Sequence, residues 1–167
     1  DPRGGVRHVL SAKASYLDAD SIEPIPVEGI DLGSTDSPLV TGGQHPLLSR
    51  LKADLATATH VDLAVAFIMV GGVDKIEESL RDILKRGGRV RIVTGDYLES
   101  TDPDALLRLL DLEDASEAGK FELYAFETSG GLSYHPKAYI IKGDEGEKAY
   151  IGSSNLSKTA LEGGGVE

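Results

Sequence analysis

No cysteine occurs among the 167 residues, which rules out a disulfide framework, a thiolate metal site and a cysteine nucleophile. The absence fits a reducing compartment, and a cytoplasmic chain is expected. Long apolar runs are missing too. None approaches the roughly 18 residues of a membrane-spanning helix, and the N-terminus has no basic segment followed by an apolar stretch. Aromatic residues are only 5% of the chain, too few for an interfacial belt, so no membrane partner is expected. Neither Gly-x-Gly-x-x-Gly nor Gly-Lys-Ser/Thr is present, so Gly71-Gly72 gives no support for a nucleotide-phosphate loop.

Positive charge is the other shortage. Seventeen Lys and Arg face 28 Asp and Glu, a net charge of -11, which argues against a general polyanion binder because such binders neutralise phosphates with Lys and Arg. The deficit is uneven. Residues 1–43 hold three basic and seven acidic groups, residues 44–127 ten and sixteen, and residues 128–167 four and five. The C-terminal quarter is nearly neutral, so a locally positive site fits within an acidic chain.

Hydrophobic content of 40% over this length suffices for one well-buried domain. Residues 1–43, rich in Gly, Pro, Ser and Asp, read as a partly irregular extension with a short strand near Ile25 to Ile30. The domain spans 44–167. Its first helix has Leu47, Leu48, Leu51 and Leu55 on one face, followed by a strand at His60 to Ile68. A second helix, Val73 to Arg86, turns Ile76, Leu80, Ile83 and Leu84 inward and is closed by Gly87-Gly88. A strand at Arg89 to Thr94, a helix started by Thr101 or Asp102 with Pro103 in its first turn, and a strand at Phe121 to Phe126 continue the alternation. That alternation implies an α/β fold with a mixed, largely parallel sheet flanked by helices on both faces. Strands at His135 to Lys142 and Lys148 to Ile151 then form a hairpin, and a short helix runs from about Ser154 to Leu161. The chain opens on Asp1 and stops just after Gly163-Gly164-Gly165, which suggests a piece of a longer protein with further domains.

Chemistry concentrates near the end. Side chains two apart in a strand share a face, so His135 and Lys137 stand together while Pro136 and Ala138 point away. Pro136 cannot donate a ladder hydrogen bond, which places His135 at the start of its strand. Gly152-Ser153-Ser154-Asn155 falls at a strand-to-helix junction, where Ser and Asn side chains can converge on phosphate oxygens. An imidazole, an ammonium, a hydroxyl and an amide donor suit attack on a phosphodiester, as nucleophile, charge clamp and orienting groups.

At these residues the sequence resembles the phospholipase D superfamily, whose motif reads His-x-Lys, four residues, Asp, then Gly-Ser-x-Asn. His135-Pro136-Lys137 and Gly152-Ser153-Ser154-Asn155 match it. Lys142 stands at the Asp position, and the interval from Lys137 to Gly152 is about three residues longer than usual. Nuclease-like members place an acidic residue about a dozen positions beyond the Asn, where Glu167 sits. The order of elements over residues 44–167 resembles one half of the family's duplicated fold. Val61 to Phe67 and Arg91 to Tyr97 resemble PLD-like domains fused to bacterial helicases or found in restriction systems.

The resemblance implies a metal-independent phosphodiesterase, most of all a DNA nuclease, with His135, Lys137, Asn155 and Glu167 catalytic and Lys137, Ser153 and Asn155 holding phosphate. No metal or cofactor is implied. His135 would attack phosphorus to give a phosphohistidine, with a second His protonating the leaving oxygen. Only one His-x-Lys is present, so a homodimer would complete the site. A phospholipase or phosphatidyltransferase, and an inactive dimerisation or nucleic-acid-binding module, are the alternatives.

Plainer roles stand beside these. Ser153 and Asn155 are ordinary helix-capping types, Ser154 reads as structural, and Glu167 as a polar strand residue. Thr94-Gly95-Asp96-Tyr97 reads as a turn, although loops after parallel strands often line a ligand crevice. Lys85, Arg86, Arg89 and Arg91 read as a solvated basic cluster, and His60 as a structural histidine.

Overall fold

The computed structural model describes residues 8–9, 46–96, 100–114, 118–127 and 133–163. Strand β1 (His8–Val9) comes first. The chain then follows α1 (Leu47–Thr57), β2 (Ala58–Val65), α2 (Val70–Lys85), β3 (Arg89–Gly95), α3 (Pro103–Asp114), β4 (Lys120–Phe126), β5 (Lys137–Gly143), β6 (Gly146–Ile151) and α4 (Lys158–Glu162). The six strands form one sheet in the order β1-β4-β3-β2-β5-β6. β1, β4, β3 and β2 are mutually parallel, and β5 and β6 are antiparallel additions. This is the α/β class with a mixed, largely parallel sheet and flanking helices that the alternation implied. A piece of the N-terminal extension joins the sheet as β1, pairing His8 with Tyr124 and Val9 with Ala125. The strand expected near Ile25 to Ile30 lies outside the described residues.

Periodicity accounts for the helices. Leu47, Leu51 and Leu55 recur every four residues and are buried along one side of α1. In α2, Val73, Ile76, Leu80, Ile83 and Leu84 do the same. α2 ends as expected: Gly87 takes the left-handed conformation (φ 82°), with its N–H on the Leu84 carbonyl and the Gly88 N–H on the Ile83 carbonyl, each at 2.9 Å. At α3 the choice of cap falls to Asp102, whose Oδ1 accepts from the Asp104 N–H at 2.9 Å, while the Thr101 hydroxyl donates to the Gly95 carbonyl at 2.8 Å.

Parallel β-α-β crossovers are right-handed as a rule; β2-α2-β3 and β3-α3-β4 advance in the same direction along the sheet, which puts α2 and α3 on one side, where they pack together. α1 and α4 pack against α2 on that side as well. The core lies between these helices and the inward rows of the sheet, including Val61, Leu63, Ile92, Leu123, Tyr139 and Ile141. Helices on both faces were expected, but among the described residues all four occupy this face. The opposite face presents Ala64, Val93, Tyr124, Ala138 and Ile140 around an open hollow of about 390 Å³, with Asp62 and Arg91 paired at 2.8 Å on its border.

α2 begins three residues earlier than its apolar pattern suggested, taking in Gly71 and Gly72. The reason is contact. A Cβ on Gly72 would lie 2.2 Å from the Leu156 carbonyl oxygen and 2.7 Å from the Ser157 nitrogen, so only glycine lets α2 approach the loop that carries the Gly-Ser-Ser-Asn motif. Gly72→Ala is expected to destabilise the fold by about 1–3 kcal/mol, as overpacking does, with a lowered melting temperature as the readout.

On the open face, Glu122 accepts hydrogen bonds from Arg89, Lys120 and Tyr124. Burial alone would raise its carboxyl pKa, but these hydrogen bonds and the Arg89 charge outweigh it and hold the group at about 2. A depressed carboxylate contributes stability that is present above its unfolded value and lost as pH falls toward the folded one. The contribution should therefore disappear between about pH 4.5 and 2. Chemical denaturation across that range should show a shallower acid loss in Glu122→Gln than in the parent.

Candidate active site

The parallel strands β2, β3 and β4 end together at Val65, Gly95 and Phe126. β5 runs the other way and begins at that same edge, with Lys137 opposite Val65. The chain before β5 therefore delivers His135 and Lys137 to the carboxyl ends of the parallel strands, the usual place for a ligand crevice in such sheets. The strand expected from His135 begins at Lys137 because Pro136 has no N–H for the ladder. His135 thus stands just outside the sheet, exposed, while Lys137 is buried with 8% of its surface accessible.

The two side chains touch. The Lys137 ammonium lies 2.6 Å from His135 Nδ1 and 3.0 Å from Nε2, and it donates to the His135 carbonyl at 3.2 Å. Which ring nitrogen can accept depends on the tautomer, and the nitrogen of a neutral imidazole that bears no proton carries the lone pair a nucleophile requires. Below them, the Gly152 N–H binds the Lys137 carbonyl at 3.2 Å and the Tyr139 hydroxyl donates to the Ser154 carbonyl at 3.0 Å. The Gly152-to-Asn155 turn is thereby fixed to the strand that carries Lys137.

Asn155 is also buried, at 8% accessibility, and its Oδ1 accepts the Phe67 N–H at 3.3 Å. Next to it the Met69 N–H binds the Leu156 carbonyl at 2.9 Å, and Ile68 bridges Leu156 in parallel fashion. Asn155 consequently ties the motif loop to the end of β2. It caps no helix: α4 starts at Lys158, not near Ser154, and its cap is Ser157, whose Oγ accepts from the Ala160 N–H at 3.3 Å. Ser153 is exposed and likewise lies outside the cap. Glu167 and His45 fall outside the described residues.

A family model described as cardiolipin synthase, PLD-like domain, matches residues 51–164, well over half of the chain. The chain belongs to the phospholipase D superfamily. Its activity type is accordingly that of a phosphodiesterase. No curated protein matches the chain.

Other candidates separate cleanly. Lys142, which replaces the superfamily Asp, lies five residues along β5 from Lys137, roughly 16 Å at strand rise, and pairs with Glu147 and His60 at the far end of the sheet. The lengthened interval is taken up at that same distant end by the β5–β6 turn, where Gly146 has φ 113°. Lys85, Arg86, Arg89 and Arg91 bind Asp82, the Ala58 carbonyl, Glu122 and Asp62, so the basic cluster is spent within the fold. His60 is exposed, with Thr59 Oγ1 3.1 Å from its Nδ1. Thr94 is fully buried against Thr101, and Tyr97 lies outside the described residues.

Sequence reading missed one neighbour of the site. Tyr134 immediately precedes His135, stacks on Phe126 with ring centroids 5.1 Å apart and an interplanar angle of 20°, and lies over Gly95. Burial pushes its hydroxyl pKa up. Its position beside the His-x-Lys was visible, but its partners are on two other strands.

Asn155→Ala would leave the part-buried Phe67 N–H without its acceptor, at a cost of about 1 kcal/mol, the low end of the range for an unpaired donor. Asn155→Asp keeps an acceptor at that position. Melting curves should therefore rank Asp above Ala, and an equal loss in both would contradict the tethering role.

Proposed function

We propose that the chain is a metal-independent nuclease domain that cleaves DNA through a phosphohistidine formed on His135, in a site completed by a second copy. The observation that carries this reading is the contact between His135 and Lys137 at the carboxyl edge of the sheet, with the Asn155 loop bound to both flanking strands. An imidazole nitrogen of His135 bonds to phosphorus as the bond to the leaving oxygen breaks. Lys137 and Asn155 hold the nonbridging oxygens, with Ser153 at the exposed rim of the same turn. A second imidazole gives its proton to the leaving oxygen, then takes one from the water that displaces His135 from phosphorus.

We assign that second imidazole to another molecule, because among the described residues the other histidines stand away from the site. His60 is at the far end of β2, five residues or roughly 16 Å from the Val65–Lys137 pair, and β1, with His8, is four strand spacings from β5, roughly 19 Å. PLD-like domains commonly dimerise, and a two-fold axis beside the crevice would bring two copies of His135 face to face. Glu167 would orient His135. The resemblance of Val61 to Phe67 and Arg91 to Tyr97 to helicase-fused and restriction-type PLD domains supports a setting beside such partners.

Cardiolipin synthase in the family description raises a lipid substrate as the comparison to make. A net charge of -11 disfavours approach to an anionic bilayer, and no helix among the described residues is long and apolar enough to cross a membrane.

In excess EDTA the chain should cleave single- or double-stranded DNA and leave phosphatidylglycerol vesicles intact, and His135→Ala should lower the rate by about 10³-fold or more. Quenching in alkaline denaturant, in which the phosphorus–imidazole bond survives, should trap a DNA fragment joined to His135 through its phosphorus, and the active species should have dimer mass. Cleavage that requires added magnesium, or an active species of monomer mass, would contradict the mechanism.

A further inference from the structure

We propose that the stacked Phe126–Tyr134 pair is a nucleobase-stacking subsite that takes the base next to the scissile phosphate of a single-stranded substrate; the proposal rests on the nuclease reading and names the form of nucleic acid it acts on.

Position comes first. Tyr134 is the residue immediately before His135, so its backbone is one peptide unit from that of the nucleophile. Phe126 closes β4 at the same edge of the sheet where Lys137 begins β5. Phe126 continues the open-face row of Glu122 and Tyr124, because the buried Phe121 and Leu123 alternate with it toward the helices. The aromatic pair therefore stands where the reactive edge meets the open face.

The platform is built into the backbone. A Cβ on Gly95 would lie 3.1 and 3.3 Å from Tyr134 Cδ1 and Cβ, so glycine at the end of β3 is what allows the ring to settle against the strand. With its ring stacked on Phe126, Tyr134 is preorganised in the near-parallel arrangement that a third aromatic ring can extend. Both residues are only partly buried. One residue pair further down the strands, Tyr124, Val93, Ala64 and Ala138 sit opposite one another in register across β4, β3, β2 and β5. They border the 390 Å³ hollow and extend the apolar surface to the residue after Lys137.

Chemistry selects the occupant. Affinity for a nucleic acid can come from neutralising phosphates or from stacking bases, and a chain of net charge -11 is poorly equipped for the first. Stacking needs no charge. A base within a duplex is already stacked on its neighbours, so only a single strand, an unpaired end or an extruded nucleotide can present its face to these rings.

Binding separates this from the catalytic reading. In a His135→Ala background, which leaves substrate uncleaved, fluorescence anisotropy would compare a 12-residue oligothymidylate with a baseless deoxyribose-phosphate strand of equal length. The oligothymidylate should bind roughly 5- to 150-fold more tightly, the range for one stacked base. Adding Tyr134→Leu, which removes the ring but keeps apolar packing, should abolish the difference, and Tyr134→Phe should retain it. Should Tyr134→Leu fail to fold, Phe126→Leu, which leaves Tyr134 on Gly95, must narrow the difference in its place. Equal binding of the two strands, no binding of either, or a preference that survives loss of the rings overturns the proposal. Failure of the nuclease reading would look different: the chain with His135 intact would bind with base preference and cut neither strand.

Discussion

The antiparallel pairing of β5 with β2 is the constraint on which the rest of the site depends. Three parallel strands end at one edge of the sheet, and a fourth parallel strand beside them would begin at the opposite edge. Because β5 is reversed, its first residue, Lys137, lies opposite Val65, the last of β2. The amino end of β5 and the carboxyl ends of β2, β3 and β4 then share one crevice. Reversal also allows a tight turn into β6, which returns the chain to the same edge at Ile151, directly opposite Ala138, so that Gly152 to Asn155 arrive beside Lys137. One choice of strand direction thus gathers two motifs separated by fourteen residues of sequence.

Backbone contacts then determine how firmly the assembly is held. The Gly-Ser-Ser-Asn turn hangs on the Gly152–Lys137 and Tyr139–Ser154 hydrogen bonds on one side, and on the Phe67–Asn155 and Met69–Leu156 bonds on the other. Between these, α2 presses Gly72 against the Leu156 carbonyl. Buried polar groups of this kind are costly when unpaired, and among the described residues no buried side-chain nitrogen or oxygen lacks a partner. Rigid support of this sort matters for a phosphodiesterase because oxygen-holding groups act by being in place before charge develops.

Most of the fold was legible because each element carries its own period. Leucines every four residues defined α1, alternation defined β3 and β4, and Gly87-Gly88 marked the end of α2 by the physics of the left-handed cap. His135, Lys137 and the Asn155 turn were legible because strand alternation and a short hairpin fix their relation locally. What escaped was long-range. Nothing near Asn155 in the sequence reveals that its partner is the Phe67 N–H, 88 residues earlier, so capping looked natural there. Ser157 was the better cap because it immediately precedes the first free N–H groups of α4. The early start of α2 was hidden by two glycines that weaken a helix by propensity and are retained for close approach. The one-sided placement of the described helices follows from crossover direction, which single elements do not encode.

The acidic balance, which first weighed against a nucleic-acid substrate, takes a different meaning once the cations are placed. Arg81, Arg89, Arg91, Arg108, Lys75 and Lys148 are engaged with carboxylates on α1, α2, α4 and the sheet. They hold the fold together and have little left to offer a polyanion. Lys137 differs, being buried beside His135 at the reactive edge. A chain arranged in this way cannot rely on releasing many counterions along a phosphate backbone, since that gain scales with the number of phosphates neutralised. On the proposed reading it would recognise substrate over a short reach, by one phosphate at the His135–Lys137 pair and by uncharged contacts around it. Excess negative charge would then serve selection, discouraging long-lived binding along duplexes and anionic membranes while leaving the nearly neutral C-terminal quarter to meet a single exposed phosphodiester.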